Sequence, residues 1–512
     1  MSEHKANNSK ENIRQRAYLN ALTGWIDTGA RLLVGFFLNP VTVSILGPVL
    51  YGVWQIIGQM NSYMVTADLR TSTALKWVVA KNRTTAKPEE LRESVGAALF
   101  TNIVFLPLYL IAGAIIIYLA PHITKVNQEY FGLVRITSSI LVVSFIFRQF
   151  FFLFESVLHG MNLSYKRIGV RALITIAGGF LTYIVLKLGY GMIGMALIKM
   201  LVIIITGFTF YIIVKKYVVW FGIAKVGFKK IIDFAKTSGW FMAMKIVDLL
   251  NQSVDLILLG FFAGPAFVTS YTLSRFIIQS GTNLIRGGIN SVTPGLARFV
   301  AEKEFSKIIY SRKQLIALSW LVLGALGSTV NLFNNSFINL WAGDFFAGQI
   351  ETFLIVLFFI QQTMLSHDSS IITMTLNIKR KIFYSLISAI VSIVLSIILI
   401  PTMKITGLLI AMNIGVLIMI ISFSRASGKI VNRKNMFGEI AFSRISVTSM
   451  LLLGASCYFS TYFMVSKWLH LIPLMLLSAL AFIFIIFLVG FNSENKKALI
   501  ANYKKIKLLR KD

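Results

Sequence analysis

The stretch LGPVLYGVWQ (residues 46–55) joins two long apolar segments, and its Gly47-Pro48 pair predicts a break between two helices. The pair recurs 217 residues later as Gly264-Pro265. At the same offset, Ala80-Lys81 and Ala297-Arg298 close the next apolar segments. In each copy an apolar helix, a very short turn, a more polar helix and a basic loop follow in order. This layout predicts a duplicated chain.

The composition excludes a soluble globular protein. Hydrophobic residues make up 56% of the 512 residues, charged residues only 14%, and the mean hydropathy is +0.76, whereas soluble domains contain about 25% charged residues. A net charge of +30 is also found in proteins that bind nucleic acid. The basic residues lie in short clusters between apolar runs, however, so we expect a lipid environment and no nucleic-acid partner.

Apolar runs long enough to cross a bilayer predict an all-α polytopic membrane protein with about 14 transmembrane helices. We predict two six-helix repeats followed by two additional helices. The two repeats are expected to be parallel, because an even number of helices per repeat inserts both copies the same way up. The predicted spans are 18–45, 50–80, 94–119, 131–158, 168–187, 190–214, 237–262, 266–297, 314–341, 351–376, 382–400, 405–424, 444–465 and 469–491. The predicted domains are an N-terminal tail (1–17), two six-helix lobes (18–225 and 226–425), two additional helices (426–491) and a basic tail (492–512).

The lysines and arginines predict the orientation. Of the 50, 36 lie in the two tails and in every second loop, and only four lie in the opposite loops. Loops on the cytoplasmic side carry the excess of Lys and Arg, so we expect both termini in the cytoplasm.

Polar stripes at helical spacing mark the first two helices of each copy. They comprise Asn20, Thr23, Asp27 and Arg31; Gln59, Ser62, Thr66 and Arg70; Lys245, Asp248, Gln252 and Asp255; and Arg275, Gln279, Thr282 and Arg286. Charges within a bilayer are costly and usually face a cavity or a partner. The predicted substrate-binding residues are Arg31, Arg70, Arg275, Arg286, Lys245, Gln59, Gln252 and Gln279. The residues predicted for ion coupling or charge balance are Asp27, Asp248, Asp255 and Asp368.

Structural roles compete with these assignments. Asp27 and Arg31 are one helical turn apart and can neutralise each other, and so can Lys245 and Asp248. Arg148 and Glu155 favour an ion pair between helices over a substrate contact. Arg171 lies close enough to a span end to snorkel to the interface.

No enzymatic signature emerges. The five histidines are scattered and no Walker-type glycine loop is present, so we expect a protein that is not an enzyme and has no cofactor, with Na⁺ or H⁺ as candidate coupling ions.

Leu46-Gly47 and Tyr51-Gly52, with the duplicated six-helix layout and the cationic residues of spans one, two, seven and eight, resemble the multidrug/oligosaccharidyl-lipid/polysaccharide (MOP) exporter superfamily. Within it the chain is similar to bacterial polysaccharide (O-antigen-type) flippases. The basic fold of the superfamily has twelve spans. The fourteen predicted here resemble the number in lipid II flippases, in which two added helices help to form a groove for the lipid tail. The resemblance implies a V-shaped central cavity in a protein of the bacterial inner membrane.

The substrate implied by the resemblance is an oligosaccharide linked to undecaprenyl pyrophosphate, flipped from the cytoplasmic to the outer leaflet by alternating access. Membrane lipids and the polysaccharide polymerase machinery are the other implied partners. Arginine forks suit phosphate oxygens. A cation-coupled multidrug exporter is the alternative within the superfamily, although the spans contain ten Arg and Lys against six Asp and Glu. A non-transporting scaffold for glycan assembly is the third interpretation.

Overall fold

The computed structural model describes residues 2–66, 68, 70–83, 85–236, 238, 239, 242, 254–375, 378–434 and 436–492. It describes the backbone alone for residues 2–18, 21, 65, 66, 288–298, 301 and 378. Within this part of the chain the structure consists of helices and short connections and has no strand, which confirms the predicted all-α class.

The helices that precede residue 218 are α1 (Ser2–Ser62), α2 (Thr71–Asn82), α3 (Pro88–Val104), α4 (Leu106–Thr124), α5 (Phe131–Gly160), α6 (Val170–Lys187) and α7 (Gly191–Tyr217). Those that follow residue 254 are α8 (Asp255–Ala263), α9 (Pro265–Ser274), α10 (Phe276–Ala301), α11 (Phe305–Trp341), α12 (Gln349–Met374), α13 (Ile378–Ile430), α14 (Met436–Ala441), α15 (Arg444–Phe459) and α16 (Trp468–Ile485).

Nine helices of the described residues are long and apolar enough to cross a membrane. Helix α13 covers two predicted spans, 382–400 and 405–424, across the non-helical backbone of Lys404 (φ 49°, ψ −122°). Helix α1 covers the first predicted span and only the beginning of the second, up to Ser62, across the non-helical backbone of Gly47 (φ 75°, ψ 169°). Other predicted spans are divided into shorter helices, such as α3 and α4, which meet at Phe105. The protein is therefore a polytopic membrane protein whose spans are often interrupted.

The two Gly-Pro pairs that predicted the duplication have matching backbones. Gly264 (φ 102°, ψ 162°) ends α8 in nearly the conformation of Gly47, and a proline follows each glycine as the next helix begins. A positive φ is accessible to glycine at little cost. The chain therefore turns in the same way at the corresponding positions of the two predicted copies.

These two turns contact each other. The Thr269 hydroxyl donates a hydrogen bond to the Pro48 carbonyl oxygen at 2.6 Å. A Cβ placed on Gly52 would lie 1.9 Å from the carbonyl oxygen of Pro265, so this position admits no side chain. Gly47 thus permits the turn, and Gly52 permits the close approach of the Pro265 backbone.

The chain forms two compact units, Met1–Thr269 and Ser270–Asp512. The first unit extends beyond the predicted repeat boundary at 225/226 and includes α8, which packs against α1 and α4. The predicted domain boundaries were based on the predicted repeat, and they stay a prediction.

In the second unit, α12 packs along α13, and the additional helices α15 and α16 both pack along α11. Gly324 of α11 permits a close approach, since a Cβ there would lie 2.8 Å from the Ser449 hydroxyl oxygen of α15.

Replacing Gly52 with alanine is expected to destabilise the protein by about 1–3 kcal/mol, because the added methyl group meets a backbone oxygen that cannot turn aside. The midpoint of thermal unfolding of the purified protein in detergent measures the effect. Gly58→Ala is the matched control, since a Cβ on Gly58, in the same helix, meets nothing within 4 Å. Equal midpoints for the two variants would contradict the close contact with Pro265.

Candidate functional site

The second predicted span, 50–80, is interrupted in the structure. After α1 ends at Ser62, a 3₁₀ turn spans Tyr63–Thr66, and α2 begins only at Thr71. Arg70 adopts a left-handed conformation (φ 56°, ψ 35°), and its backbone N–H donates to Asp68 Oδ1 at 2.9 Å. A left-handed residue other than glycine costs about 1–3 kcal/mol and recurs at functional sites. Non-helical backbone at membrane depth is tolerated where it is buried in protein or lines a polar cavity.

A buried hydrogen-bonded network supports the interruption. The Thr71 hydroxyl donates to Asn102 Oδ1 at 2.7 Å, and the Asn102 amide donates to the Gln149 carbonyl oxygen at 3.2 Å. The Tyr109 hydroxyl also lies 3.4 Å from Asn102 Oδ1. Helices α3, α4 and α5 thus hold the start of α2 in place through Asn102.

The partner of Asp27 is Arg167, not Arg31. Arg167 Nη1 lies 2.5 Å from Asp27 Oδ2, and its Nη2 lies 3.1 Å from Glu155 Oε1. Arg171 binds both carboxylate oxygens of Glu155, at 2.8 and 2.7 Å. Asp27, Glu155 and Arg167 are each at most 4% exposed. The predicted neutralisation of Asp27 by Arg31 on one helix is therefore wrong, as is the predicted snorkelling of Arg171. The ion pair between helices that was predicted near Arg148 and Glu155 is confirmed for Glu155, which binds Arg171 of α6.

Because both carboxylates are already bound, two arginines form no close ion pair with a carboxylate in the described part of the chain. Arg31 donates only to the Thr28 hydroxyl, at 3.0 Å, and Arg148 lies 5.8 Å from the centre of the Phe152 ring. Both line a cavity of about 200 Å³ between α1, α5, α6 and α7, whose wall includes Glu155 and Arg171. The cavity thus has an excess of two positive charges.

The other lining residues give this cavity a mixed surface. Thr175 and Thr206 supply hydroxyls, and Phe151, Phe152 and Phe210 supply aromatic rings. Arg148 also interacts electrostatically with Arg70 and Asp68, so it links the cavity to the interrupted helix. The sequence did not indicate Arg148 as a site residue. Its helix has no polar stripe, and a single arginine there is expected to form an ion pair with another helix.

The second unit contains the other two predicted arginines. The Arg275 guanidinium lies 4.6 Å from the centre of the Tyr271 ring, at the junction of α9 and α10. One Arg286 amino group donates to Gln362 Oε1 at 3.2 Å. Gln279 and Thr282 lie between them on α10, where Thr282 is buried and donates to the Ile278 carbonyl oxygen. The stripe predicted for this helix is therefore a continuous helical face.

Asp368, predicted for coupling or charge balance, lies in a buried ion pair. Arg312 binds it through Nε at 2.7 Å and Nη2 at 2.8 Å, and the Ser424 hydroxyl donates to it at 2.7 Å. Arg312 also reaches Glu439 at 3.0 Å. With Arg167 on Asp27 and Arg312 on Asp368, the geometry favours charge balance for both aspartates. Sequence reasoning had placed Arg312 in a loop.

The remaining predicted residues have separate positions. Gln59 lies half-buried in α1, and its carbonyl oxygen accepts from the Ser62 hydroxyl at 2.6 Å. Asp255 is buried at the start of α8 and interacts electrostatically with Tyr63. Lys245, Asp248 and Gln252 lie outside the described residues. Among the described residues, no group of three or more His, Cys, Asp or Glu could hold a metal ion.

Asp27→Asn is expected to destabilise the protein by about 3–5 kcal/mol, because it leaves the buried Arg167 sharing Glu155 with Arg171. Arg31→Gln, the matched control on the same helix, should change the unfolding free energy by no more than about 0.5 kcal/mol. Denaturant unfolding of both variants in detergent measures the difference. Comparable losses for the two would show that Asp27 depends on Arg31 after all.

Comparisons with known proteins place the fold. No protein-family model matches the sequence, and no curated protein matches it. Solved structures match in fold. Lipid II flippase MurJ in an inward closed conformation is 16% identical, with 91% of this chain and 98% of that chain covered and a TM-score of 0.68. A mutant MATE transporter from Vibrio cholerae is 15% identical, with 83% and 99% covered and a TM-score of 0.56.

A MOP superfamily transporter from Pyrococcus furiosus, described as having a binding pocket of reverse polarity, also matches. It is 16% identical, with 82% of this chain and 96% of that chain covered and a TM-score of 0.52. The resemblance carried by LGPVLYGVWQ is confirmed at the level of the fold. The chain is an all-α, multi-pass membrane protein with the fold of MOP-superfamily transporters.

Proposed function

We propose that the protein is a flippase that moves an oligosaccharide linked to undecaprenyl pyrophosphate from the cytoplasmic to the outer leaflet. The observation that carries this proposal is the cavity containing Arg31 and Arg148, which has two arginines without a carboxylate partner in the described residues. A pyrophosphate is a compact anion, and arginine forks bind phosphate oxygens in a bidentate manner. The excess of positive charge therefore matches the charge of the headgroup.

The surroundings of the arginines suit the rest of the substrate. Threonine hydroxyls in the cavity wall offer hydrogen bonds to sugar hydroxyls, and the aromatic rings offer apolar faces to sugar rings. The polyprenyl tail stays in the surrounding lipid while the headgroup crosses. Arg70 adds a cation on the interrupted helix beside Arg148, and interrupted helices are typical of transporter binding sites.

In the proposed cycle, the protein alternates between states open to either side of the membrane. Arg31, Arg148 and Arg70 bind the pyrophosphate within the first unit. The residues that stay predicted contributors to substrate binding are Arg275, Arg286, Lys245, Gln59, Gln252 and Gln279. The proposed location is the bacterial inner membrane with both termini cytoplasmic. A polysaccharide polymerase is the proposed acceptor of the product.

The cation-coupled multidrug exporter is the second candidate, and the fold shared with MATE transporters favours it. Organic cations require carboxylates or aromatic faces. Asp27 and Asp368, two of the carboxylates predicted for ion coupling or charge balance, are already bound by arginines and are not available to an organic cation. The charge of the described cavity therefore favours an anionic substrate.

Arg31→Gln and Arg148→Gln should each slow transport by about tenfold or more, because a hydrogen bond to a charged group contributes about 1.5–3 kcal/mol. The assay uses proteoliposomes containing a fluorescent sugar linked to a short polyprenyl pyrophosphate. Protection of the label from a membrane-impermeant quencher reports flipping. Arg135→Gln is the matched control, since Arg135 lies on the same helix as Arg148 and is exposed. Wild-type rates in both cavity variants would remove this cavity from the transport path.

In cells, Arg275→Ala and Arg286→Ala should fail to complement a strain that lacks its polysaccharide flippase, at normal membrane levels of the protein. Lipid-linked sugars should accumulate in that strain, and their chemical analysis identifies the sugar. Increased drug sensitivity of a deletion strain with normal surface glycans would instead support the multidrug exporter. Full complementation by the arginine variants, with loss on neutralising the basic loops, would support the scaffold.

A further inference from the structure

A second cationic cavity lies in the other compact unit, and its wall includes Ser424, whose hydroxyl donates to Asp368. It has a volume of about 1050 Å³ and is lined by the start of α13, by its last two turns and by the segment that leads into α14. Five basic side chains line it: Arg380, Arg425, Lys429, Arg433 and Lys434. No carboxylate is among its described lining residues. The loops that carry these residues are those predicted to be cytoplasmic.

Most of this positive charge is not neutralised by the protein. Arg433 binds Glu439, at 2.8 Å through Nε and 2.6 Å through Nη2. The other four basic side chains form no ion pair with a carboxylate in the described part of the chain. Arg380, Arg425, Lys429 and Lys434 are all exposed. Four cations around one concave surface repel one another, and an anion placed between them relieves this repulsion.

The cavity continues into the lipid-facing surface of the same helices. On the first half of α13, Phe383 (60% exposed) and Ile390 (53% exposed) follow Arg380 by one and three turns. On the second half, Ile414 and Leu417 are exposed, and Arg425 follows Leu417 by about two turns. Tyr384, Ile421 and Phe437 form the apolar part of the cavity wall. The surface thus changes from apolar to basic along both halves, in the order in which a phospholipid changes from acyl chain to phosphate.

We propose that this cavity binds the phosphate headgroup of an anionic membrane phospholipid, with the acyl chains along the exposed apolar face of α13. Basic pockets between membrane helices on the cytoplasmic side attract such headgroups. A zwitterionic headgroup is expected to bind less tightly, because its positive group is repelled by the basic side chains of the cavity. Residues 493–512, which lie outside the described part, are rich in lysine, so their charge does not suit this cavity.

The test measures lipid binding to the full-length protein in detergent by native mass spectrometry. The probes are phosphatidylglycerol, cardiolipin and phosphatidylcholine. We expect the two anionic lipids to bind the wild type at least about tenfold more tightly than phosphatidylcholine, and the double variant Arg425→Gln/Lys429→Gln to lose about tenfold or more in affinity for them. Raising the salt concentration should weaken the same binding, because the basic side chains are exposed.

The matched control is Lys215→Gln/Lys216→Gln, which removes two exposed lysines at the end of α7 in the first unit. This variant should bind the anionic lipids like the wild type. Equal binding of phosphatidylcholine and phosphatidylglycerol to the wild type would overturn the proposal, as would unchanged affinity in the α13 double variant. If that variant does not fold, the single variants Arg380→Gln and Lys434→Gln replace it, and unchanged lipid preference in both has the same meaning.

A further arm distinguishes a lipid from a soluble anion. Inorganic pyrophosphate, added alone, should not raise the thermal unfolding midpoint of the wild type as much as phosphatidylglycerol does, because it has no acyl chains to contact α13. A pyrophosphate effect that equals the lipid effect and is lost in the α13 variant would make the site one for a soluble phosphate and overturn its assignment to a lipid. None of these measurements depends on transport activity.

Discussion

The first unit depends on how buried charges are neutralised in a medium that does not solvate them. Arg167, on the short turn between α5 and α6, bridges Asp27 of α1 and Glu155 of α5, and Arg171 completes the coordination of Glu155. This network connects three helices, α1, α5 and α6, through buried ion pairs. It also occupies both acidic residues that could otherwise neutralise Arg31 and Arg148. One set of ion pairs therefore decides both the packing of the unit and the sign of its cavity.

The features that could be predicted from the sequence are those with local causes. Hydropathy over about twenty residues identifies a span, and a Gly-Pro pair identifies a turn, so the turns at Gly47 and Gly264 were predicted at the correct residues. The duplication inferred from the spacing of those turns stays a prediction. Polar stripes identified Arg31 and Arg286 because helical periodicity needs only the residues of one helix.

Partners that are distant in the chain could not be predicted. Arg167 is 140 residues from Asp27, and Arg312 is 56 residues from Asp368, so helical spacing pointed to Arg31 instead. The interruption before Arg70 had no signal either, because the stretch YMVTADLR (63–70) contains neither glycine nor proline. Its cause is tertiary and chemical: Asp68 accepts from the Arg70 N–H, and Asn102 of a neighbouring helix holds Thr71. Such side-chain to backbone bonds compete with helix formation.

The interruption near Arg70 also makes the two copies mechanically unequal. The residues of the second copy that correspond to 62–70 at the 217-residue offset are 279–287, and they lie within the unbroken helix α10. An interrupted helix can bend at its interruption, whereas a continuous helix moves as one rigid element. The predicted duplication thus pairs a helix that can bend at its interruption with a helix that is continuous through the corresponding residues.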